Sequence, residues 1–467
     1  MSKHTDIQPS GAALYFLPVK TRVSLKFGAE SLTQVTCARV ALHVEDRRGK
    51  EATGWGETPL NVQWVWPSRL SYAERHKAMR EFCVTLSHAW AGFDCSGHPL
   101  EVGNSFTEEE LPLLLEDFNE ERGGEPMPWL AALVCSSAFD IALHDAYGQM
   151  HGVATYETYN RDWMNWDLAD FLNPAPGTEI SFEDRYPADY FLHPRPATLP
   201  VWHLVGGADP LEAGDEGDAG PDDGHPRLLR EWIRRDGLRC LKVKLRGNDA
   251  AWDRERLSRV GSIALEEGVE HLSADFNCMV REPVYVNEIL DWLNAEYPSI
   301  LEALLYVEQP FPYDLESHPI DVSSVTRRKP LFLDESAHDW RMVRLGRELG
   351  WNGVALKTCK TQTGALLSLC WAKAHGMSLM VQDLTNPMLA QISHLQLAAH
   401  TPTIMGVESN AMQFYPDASQ PEAKVHPGLY TRKNGLLDLS SIAPTGLGYG
   451  AAVKCRPLPK PACEIEQ

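Results

Sequence analysis

The stretch Leu238-Arg-Cys-Leu-Lys-Val-Lys-Leu245 decides the fold. Its apolar Leu241 and Val243 alternate with Lys242 and Lys244, so an extended chain turns both lysines to one face and the apolar side chains to the other. Seven further short runs read as strands: Thr198–Leu204 ahead of it, then Val269–Asp275, Ala303–Glu308, Pro330–Asp334, Gly353–Lys357, Met377–Asp383 and Thr403–Glu408. Helical patterns such as Trp252–Glu267, Tyr285–Glu296, Trp340–Gly350 and Thr363–Gly376 fall between them. Strands alternating with amphipathic helices predict parallel βα units, and eight of them close without sheet edges into a (β/α) barrel of the TIM type. A doubly wound open sheet is the alternative, but no strand is followed by the glycine fingerprint of a nucleotide site.

The charged residues of these runs share one position. Lys242 and Lys244, Asp275, Glu308, Asp334, Lys357, Asp383 and Glu408 all fall at strand carboxyl ends, at intervals of 23 to 33 residues from Lys244 onward. In a closed barrel those ends form one ring around one pocket, where the active sites of this fold lie. Three carboxylates from successive strands, Asp275, Glu308 and Asp334, stay ionised together only beside a cation. Their oxygen donors suit Mg²⁺, and Mn²⁺ as well. Any one of them alone reads better as a helix cap or a surface ion pair; three in succession do not. Lys244 and Lys357 approach from opposite sides of the ring, which suits paired proton transfer if the metal, Lys242 or desolvation lowers their pKa values. The competing reading makes these lysines salt-bridge partners of the acidic ring. Asp383 and Glu408 read equally as substrate contacts or as groups orienting a lysine. His203 reads as packing or hydrogen bonding, and Gly446-Leu-Gly-Tyr-Gly450 as a turn.

Ahead of the barrel, Val35–Val44 reads as a strand, and Asp46–Gly49 as a turn into a second one at Gly54-Trp-Gly-Glu57. Helices follow near Ala73–Ala89 and Trp129–Tyr147, so residues 1–156 are expected to form an α+β capping domain. Residues 157–197, rich in Trp, Asp, Pro and Tyr, read as an irregular insertion ordered by its aromatics. Residues 198–425 are expected to form the (β/α) barrel with the catalytic site, and 426–467 a C-terminal segment that returns to the capping domain. The block Gly206–Gly224 carries seven acidic residues and no Lys or Arg, the composition of a mobile solvated loop.

The chain has 467 residues, ten scattered cysteines and a formal charge of -21. That charge argues against nucleic acid and anionic membranes as partners. With neither a signal segment nor a long uninterrupted apolar run, a cytoplasmic protein with reduced thiols is expected, without disulfides or a zinc knuckle. A homo-oligomer is compatible with all of this.

Leu241-Lys-Val-Lys244, Ala274-Asp-Phe-Asn277, Val307-Glu-Gln-Pro310, Leu333-Asp-Glu-Ser336 and Leu356-Lys357 together resemble the two-lysine, muconate lactonizing group of the enolase superfamily, within its mandelate racemase/muconate lactonizing enzyme family. The resemblance extends to Thr21–Ala29 as a mobile capping loop, Gly54–Glu57 as a second loop, Ala138–Asp145 as the helix preceding the barrel, and Gly446–Gly448 as a return to the capping domain. It implies Asp275, Glu308 and Asp334 as Mg²⁺ ligands, Lys244 and Lys357 as acid and base, and Lys242 as electrostatic support. The implied reaction removes a proton alpha to the carboxylate of a small substrate through a metal-stabilised enediolate, a Lys-and-magnesium chemistry for which this superfamily is a standing example. Racemisation, epimerisation or cycloisomerisation then follows. An acid-sugar dehydratase or another β-elimination lyase is the alternative, and a barrel that only binds is a third reading. Met380-Val-Gln-Asp383 lacks the histidine expected of the mandelate racemase group. The insertion at 157–197 and the acidic loop depart from the family pattern and are expected near the pocket mouth.

Overall fold

The computed structural model describes residues 3–27, 30–215 and 221–466. Three antiparallel strands, β1 (Ile7–Phe27), β2 (Glu30–Asp46) and β3 (Glu51–Leu60), open the chain. The Asp46 turn is as read: its Oδ1 accepts from the Arg48 and Lys50 amides, and Gly49 takes φ 75°. β1 is longer than its sequence pattern shows, because Pro9 and Pro18 interrupt the composition and the register shifts between Pro9 and Gly11 and between Lys20 and Leu25. Two expected loops are corrected here. Residues 21–27 continue β1, with Gly28 and Ala29 outside the described residues, and Gly54–Glu57 lies within β3.

The helix Trp129–His151 is buried on nearly every face. It is long and apolar enough to cross a membrane by length and composition, yet here it is the central helix of the capping domain. It lies against β3 where the strand has no side chains: a Cβ on Gly56 would sit 2.0 Å from the Ala138 carbonyl oxygen, and one on Gly54 2.1 Å from that of Ala142. Two carboxylates staple it outward. Asp140 accepts from the Thr363 amide and hydroxyl at 2.9 and 2.7 Å, and Asp145 from the Trp55 and Leu447 amides at 2.9 and 2.8 Å. Burial pushes both carboxyls up to about 6, with these hydrogen bonds working against it. His144 joins the same staple, its Nε2 2.9 Å from Thr363 Oγ1 and its Nδ1 accepting from the Tyr159 hydroxyl at 2.8 Å.

Eight parallel strands follow: β4 (Thr198–Val205), β5 (Cys240–Lys244), β6 (His271–Asp275), β7 (Leu304–Glu308), β8 (Leu331–Leu333), β9 (Gly353–Leu356), β10 (Ser378–Val381) and β11 (Val407–Glu408). Each overlaps a run read from the sequence. They pair in order from β10 back to β4, with β11 beside β4, and the Ile404 amide donates to the Leu379 carbonyl at 2.8 Å to bring the two ends together. A (β/α) barrel with an N-terminal α+β capping domain is thus the fold. Two later strands lie outside the ring: β12 (Leu436–Asp438) runs antiparallel to β4, and β13 (Cys463–Glu466) adds to the capping sheet beside β1.

Period-2 alternation sorts the barrel's contents. Leu241 and Val243 join the large core of the outer helices, while Trp202, Cys240, Tyr306, Phe332 and Met380 form a separate apolar cluster. Cys240, Tyr306 and Phe332 each stand two residues before a charged strand-end residue, so this cluster is the floor of the charged ring.

The insertion 157–197 is indeed ordered by aromatics, with Tyr159, Phe171, Phe182 and Phe191 buried. It clads the outside of the barrel, where the Asn173 carbonyl accepts from Trp371 Nε1, the Ala175 amide donates to His375 Nε2 and the Leu192 amide donates to the His400 carbonyl. Its expected place near the pocket mouth is therefore corrected: none of its residues lines the cavity at the strand ends. The acidic loop is corrected too, within its described part. Asp209 is half-buried and accepts from the Gly206 amide at 2.8 Å, Asp215 meets Arg259 at 2.6 Å, Glu212 meets Arg230 at 3.3 Å and Asp223 meets Arg22 at 2.6 Å, so arginines from the barrel and from β1 clasp it. Glu216 and Asp218 lie outside the described residues.

Gly56→Ala is expected to cost about 1–3 kcal/mol or more, because the new methyl meets helix backbone that cannot yield locally. A thermal melt of the variant matching the parent would disprove this packing account.

Candidate active site

The eight charged residues singled out by position converge on one chamber. Lys242 and Lys244 lie on β5, and Asp275, Glu308 and Glu408 end β6, β7 and β11. Asp334 and Lys357 directly follow β8 and β9, and Asp383 follows β10 by two residues. All eight are buried, Lys244 being the most exposed at 9%. Inward residues of adjacent parallel strands fall side by side at one level, as the pairing of Lys244 with Asp275 and of Asp275 with Glu308 shows.

Lys242 is the hub. Its Nζ lies 2.5 Å from Glu308 Oε1, 3.0 Å from Glu408 Oε2 and 3.2 Å from Asp275 Oδ2. Lys244 Nζ takes the same Asp275 oxygen at 2.5 Å and the Asn277 side-chain oxygen at 2.9 Å. On the other side, Lys357 Nζ lies 3.1 Å from Asp334 Oδ2 and 3.4 Å from the Asp383 carbonyl, while Lys360 Nζ contacts the Asp334 backbone oxygen and lies 3.5 Å from its Oδ1. Asp383 is held by the Asn410 amide at 2.7 Å and by Asn410 Nδ2 at 3.2 Å, which also donates to Glu408 at 2.8 Å.

Burial sets the energetics. Desolvation pushes the Glu308 carboxyl well up, Lys242 pulls it down, and the neighbouring carboxylates push it further up. Desolvation also opposes the Asp275 and Asp334 carboxylates, but the lysines beside each outweigh it and hold both below the usual range. Burial disfavours the Lys242 ammonium, yet Glu308, Glu408 and Asp275 raise its pKa well above the ordinary lysine value. Lys357 behaves alike: burial and Lys242 lower it, Asp334, Glu408 and Glu308 raise it, and the carboxylates win. The expected lowering is therefore reversed at Lys357, because the attraction of the carboxylates packed around it outweighs its loss of water. Lys360, where desolvation dominates, is lowered.

Several members of the site lie outside the sequence reading. Asn277 sits in a quoted motif without an assigned role. Lys360 follows Lys357 by one turn, Gln382 donates to Glu308 Oε2 at 2.5 Å, and Gln309 brackets Asp334 by accepting from its amide at 2.7 Å. Lysine or glutamine beside a charged strand end was the available signal. From the capping domain, Leu25 and Trp64 line the cavity opposite Leu204, Leu384 and Thr385; Leu25 falls in the Thr21–Ala29 segment that the resemblance singled out, while Trp64 carried no signal. Between these walls the remaining cavity is small, about 30 Å³.

In these side-chain positions no three acidic, histidine or cysteine groups among the described residues converge as ligands, since lysine ammoniums stand between the carboxylates. The chemistry still fits: three buried carboxylates come from adjacent strand ends, and Asp334 Oδ1 is buried without a hydrogen-bond partner. Asp275, Glu308 and Asp334 are the residues that would hold the ion.

Residues 226–456 match the family model described as Enolase C-terminal domain-like. The match covers the barrel from just before β5, and likeness in fold to solved structures extends over nearly the whole chain. The N-succinyl Arg/Lys racemase of Bacillus cereus ATCC 14579 superposes with a TM-score of 0.62 at 16% identity, covering 98% of this chain and 99% of that one. A dipeptide epimerase of Enterococcus faecalis V583, solved with Mg and the dipeptide L-Leu-L-Tyr, gives 0.60 at 16% identity over 94% and 99%. A muconate lactonizing enzyme of Pseudomonas fluorescens, complexed with muconolactone, gives 0.59 at 14% identity over 94% and 96%. No curated protein matches the chain by sequence.

Lys242→Met removes the hub and leaves buried carboxylates unpaired, so it is expected to destabilise the fold by about 3–5 kcal/mol. Urea unfolding measures this, and an unchanged midpoint would show that the cluster is held by other groups.

Proposed function

We propose that this chain is an isomerase that removes the proton alpha to a substrate carboxylate and returns it on the opposite face, giving racemisation or epimerisation. The observation that carries the reading is that Lys244 on β5 and Lys357 after β9 line one cavity while each is held by a different carboxylate, Asp275 or Asp334. Two ammonium-bearing groups on two walls suit removal and return of one proton across a planar intermediate. Asp275, Glu308 and Asp334 would hold Mg²⁺, with Mn²⁺ as a substitute, and the bound ion would neutralise charge developing on the substrate carboxylate.

The chain's own residues do the rest. The apolar floor of Trp202, Tyr306 and Phe332 keeps water from below, so the charges above it act in a low effective dielectric. Lys242, tied to Glu308 and Glu408, is held as a fixed cation beside the reacting centre. Lys244 and Lys357 move the proton. For either to act as the base, its hold on Asp275 or Asp334 must loosen. Leu25, Trp64, Leu204 and Leu384 give the cavity an apolar side, which supports a substrate with a neutral or apolar portion beside its carboxylate. The racemase and epimerase relatives in fold support the isomerase outcome over elimination.

The test is α-deuterium exchange in D₂O with Mg²⁺, against dipeptides, N-acyl amino acids, acid sugars and lactones. Exchange is expected for one carboxylate class and is expected to stop on chelation of the metal. Lys244→Ala and Lys357→Ala should each lose about 10²-fold or more, each on the antipode whose proton faces the missing lysine. If both variants exchange as the parent does, the two-lysine reading is wrong.

A further inference from the structure

Resting on that reading, we propose that Trp64 is a positioning residue for one of the two lysines, so that the capping domain controls proton transfer on the Lys357 face and leaves the Lys244 face to the barrel. Trp64 lies in the short helix Val62–Val65, which Asn61 caps by accepting from the Trp64 amide at 3.3 Å. It is 9% exposed, packs with the capping-domain core and forms part of the cavity wall. Its ring faces two ammonium groups, with Lys357 Nζ 5.1 Å and Lys360 Nζ 5.6 Å from the ring centroid. Its indole N–H donates to Glu335 Oε1 at 3.0 Å, next in sequence to Asp334. The ring is thereby pinned at both edges, by its helix on one side and by a barrel carboxylate on the other.

The two lysines differ in how they are held. Lys244 is gripped by Asp275 and Asn277, both on the barrel. Lys357 has Asp334 and the Asp383 carbonyl on the barrel side and the indole face on the capping side. A lysine ammonium on a flexible four-carbon stem takes a fixed position only where its surroundings confine it. An aromatic face attracts the cation without accepting its proton, so it confines the ammonium while leaving it free to donate. A carboxylate in that place would compete with the substrate for the same proton. Docking of the capping domain and placement of Lys357 are thus one contact.

The experiment uses the full-length protein and the two antipodes of the probe that exchanges fastest in the deuterium panel, with Lys357→Ala and Lys244→Ala identifying the antipode that depends on each lysine. In Trp64→Leu, exchange of the Lys357-dependent antipode should fall about 2- to 30-fold relative to the other, the range for losing a partly desolvated cation–π contact. Whatever the shortened cavity wall costs in substrate binding falls on both antipodes alike, so the ratio of the two rates carries the test. Trp64→Phe, which keeps an aromatic face, should keep the parent's ratio. Equal loss on both antipodes, or loss on neither, overturns the proposal. If Trp64→Leu does not fold by circular dichroism, Trp64→Met takes its place. If no probe exchanges with the parent protein, the isomerase reading fails on its own terms, and the Trp64 contact is decided by NMR of protein carrying ¹³C-labelled lysine. The ε-methylene signal absent from Lys357→Arg should then shift in Trp64→Met as the indole ring current is lost, and an unmoved signal overturns the contact.

Discussion

One buried ammonium organises the centre of this molecule. Lys242 reaches Asp275, Glu308 and Glu408 at once, and so ties the ends of β5, β6, β7 and β11 above an apolar floor. Each of those carboxylates, left alone at that depth, would neutralise itself by taking up a proton or force its strand end open. The cluster is therefore a constraint on the whole barrel: the strand ends can close only if the charges they carry are matched. Such a cluster is a costly way to stabilise a fold, because desolvation consumes much of what the ion pairs return. Its value lies in holding several carboxylates ionised at one point.

The second wall of the site comes from outside the barrel. The helix Trp129–His151 is stapled to the barrel by Asp140 and His144 at Thr363, and to the C-terminal segment by Asp145 at Leu447. Those contacts fix where β3 ends, and the turn after β3 delivers Trp64 to Lys357 and Lys360. The chain from Gly56, which lets the helix approach, to Trp64, which faces the lysine, is nine residues long. Packing in the capping core and geometry at the site are consequently linked over a short, stiff path. Arg22 and Asp223 make a second bridge between the domains, from β1 to the acidic loop.

Legibility of the sequence divides along the same line as the two domains. All eight barrel strands could be read, because parallel buried strands carry dense apolar runs bounded by helices, and because every one from β5 onward ends in or just before a charge. The 21-residue β1 was hidden, since its prolines and bulges break the alternation that marks a strand. The insertion was readable as irregular and aromatic, but its location was not: side chains such as Tyr159 and Phe191 have no period that points to a partner. The acidic loop misled for a different reason. Its carboxylates lack basic neighbours in sequence, while Arg22, Arg230 and Arg259 meet them from elsewhere in the fold.

By itself the sequence determined which residues can face the pocket, because a strand's period of two and the spacing of βα units are local properties that no distant contact alters. It also determined the chemistry those residues can offer, through lysine and carboxylate side chains at successive strand ends. Only the tertiary structure decided how they are paired: that Lys242 and not Lys244 is the hub, that Asp334 is shared between Lys357 and Lys360, and that a tryptophan from the capping domain covers those two lysines. The reason is physical. Electrostatic energy and pKa depend on distance and on exclusion from water, and both arise only when the barrel closes and the capping domain docks on it.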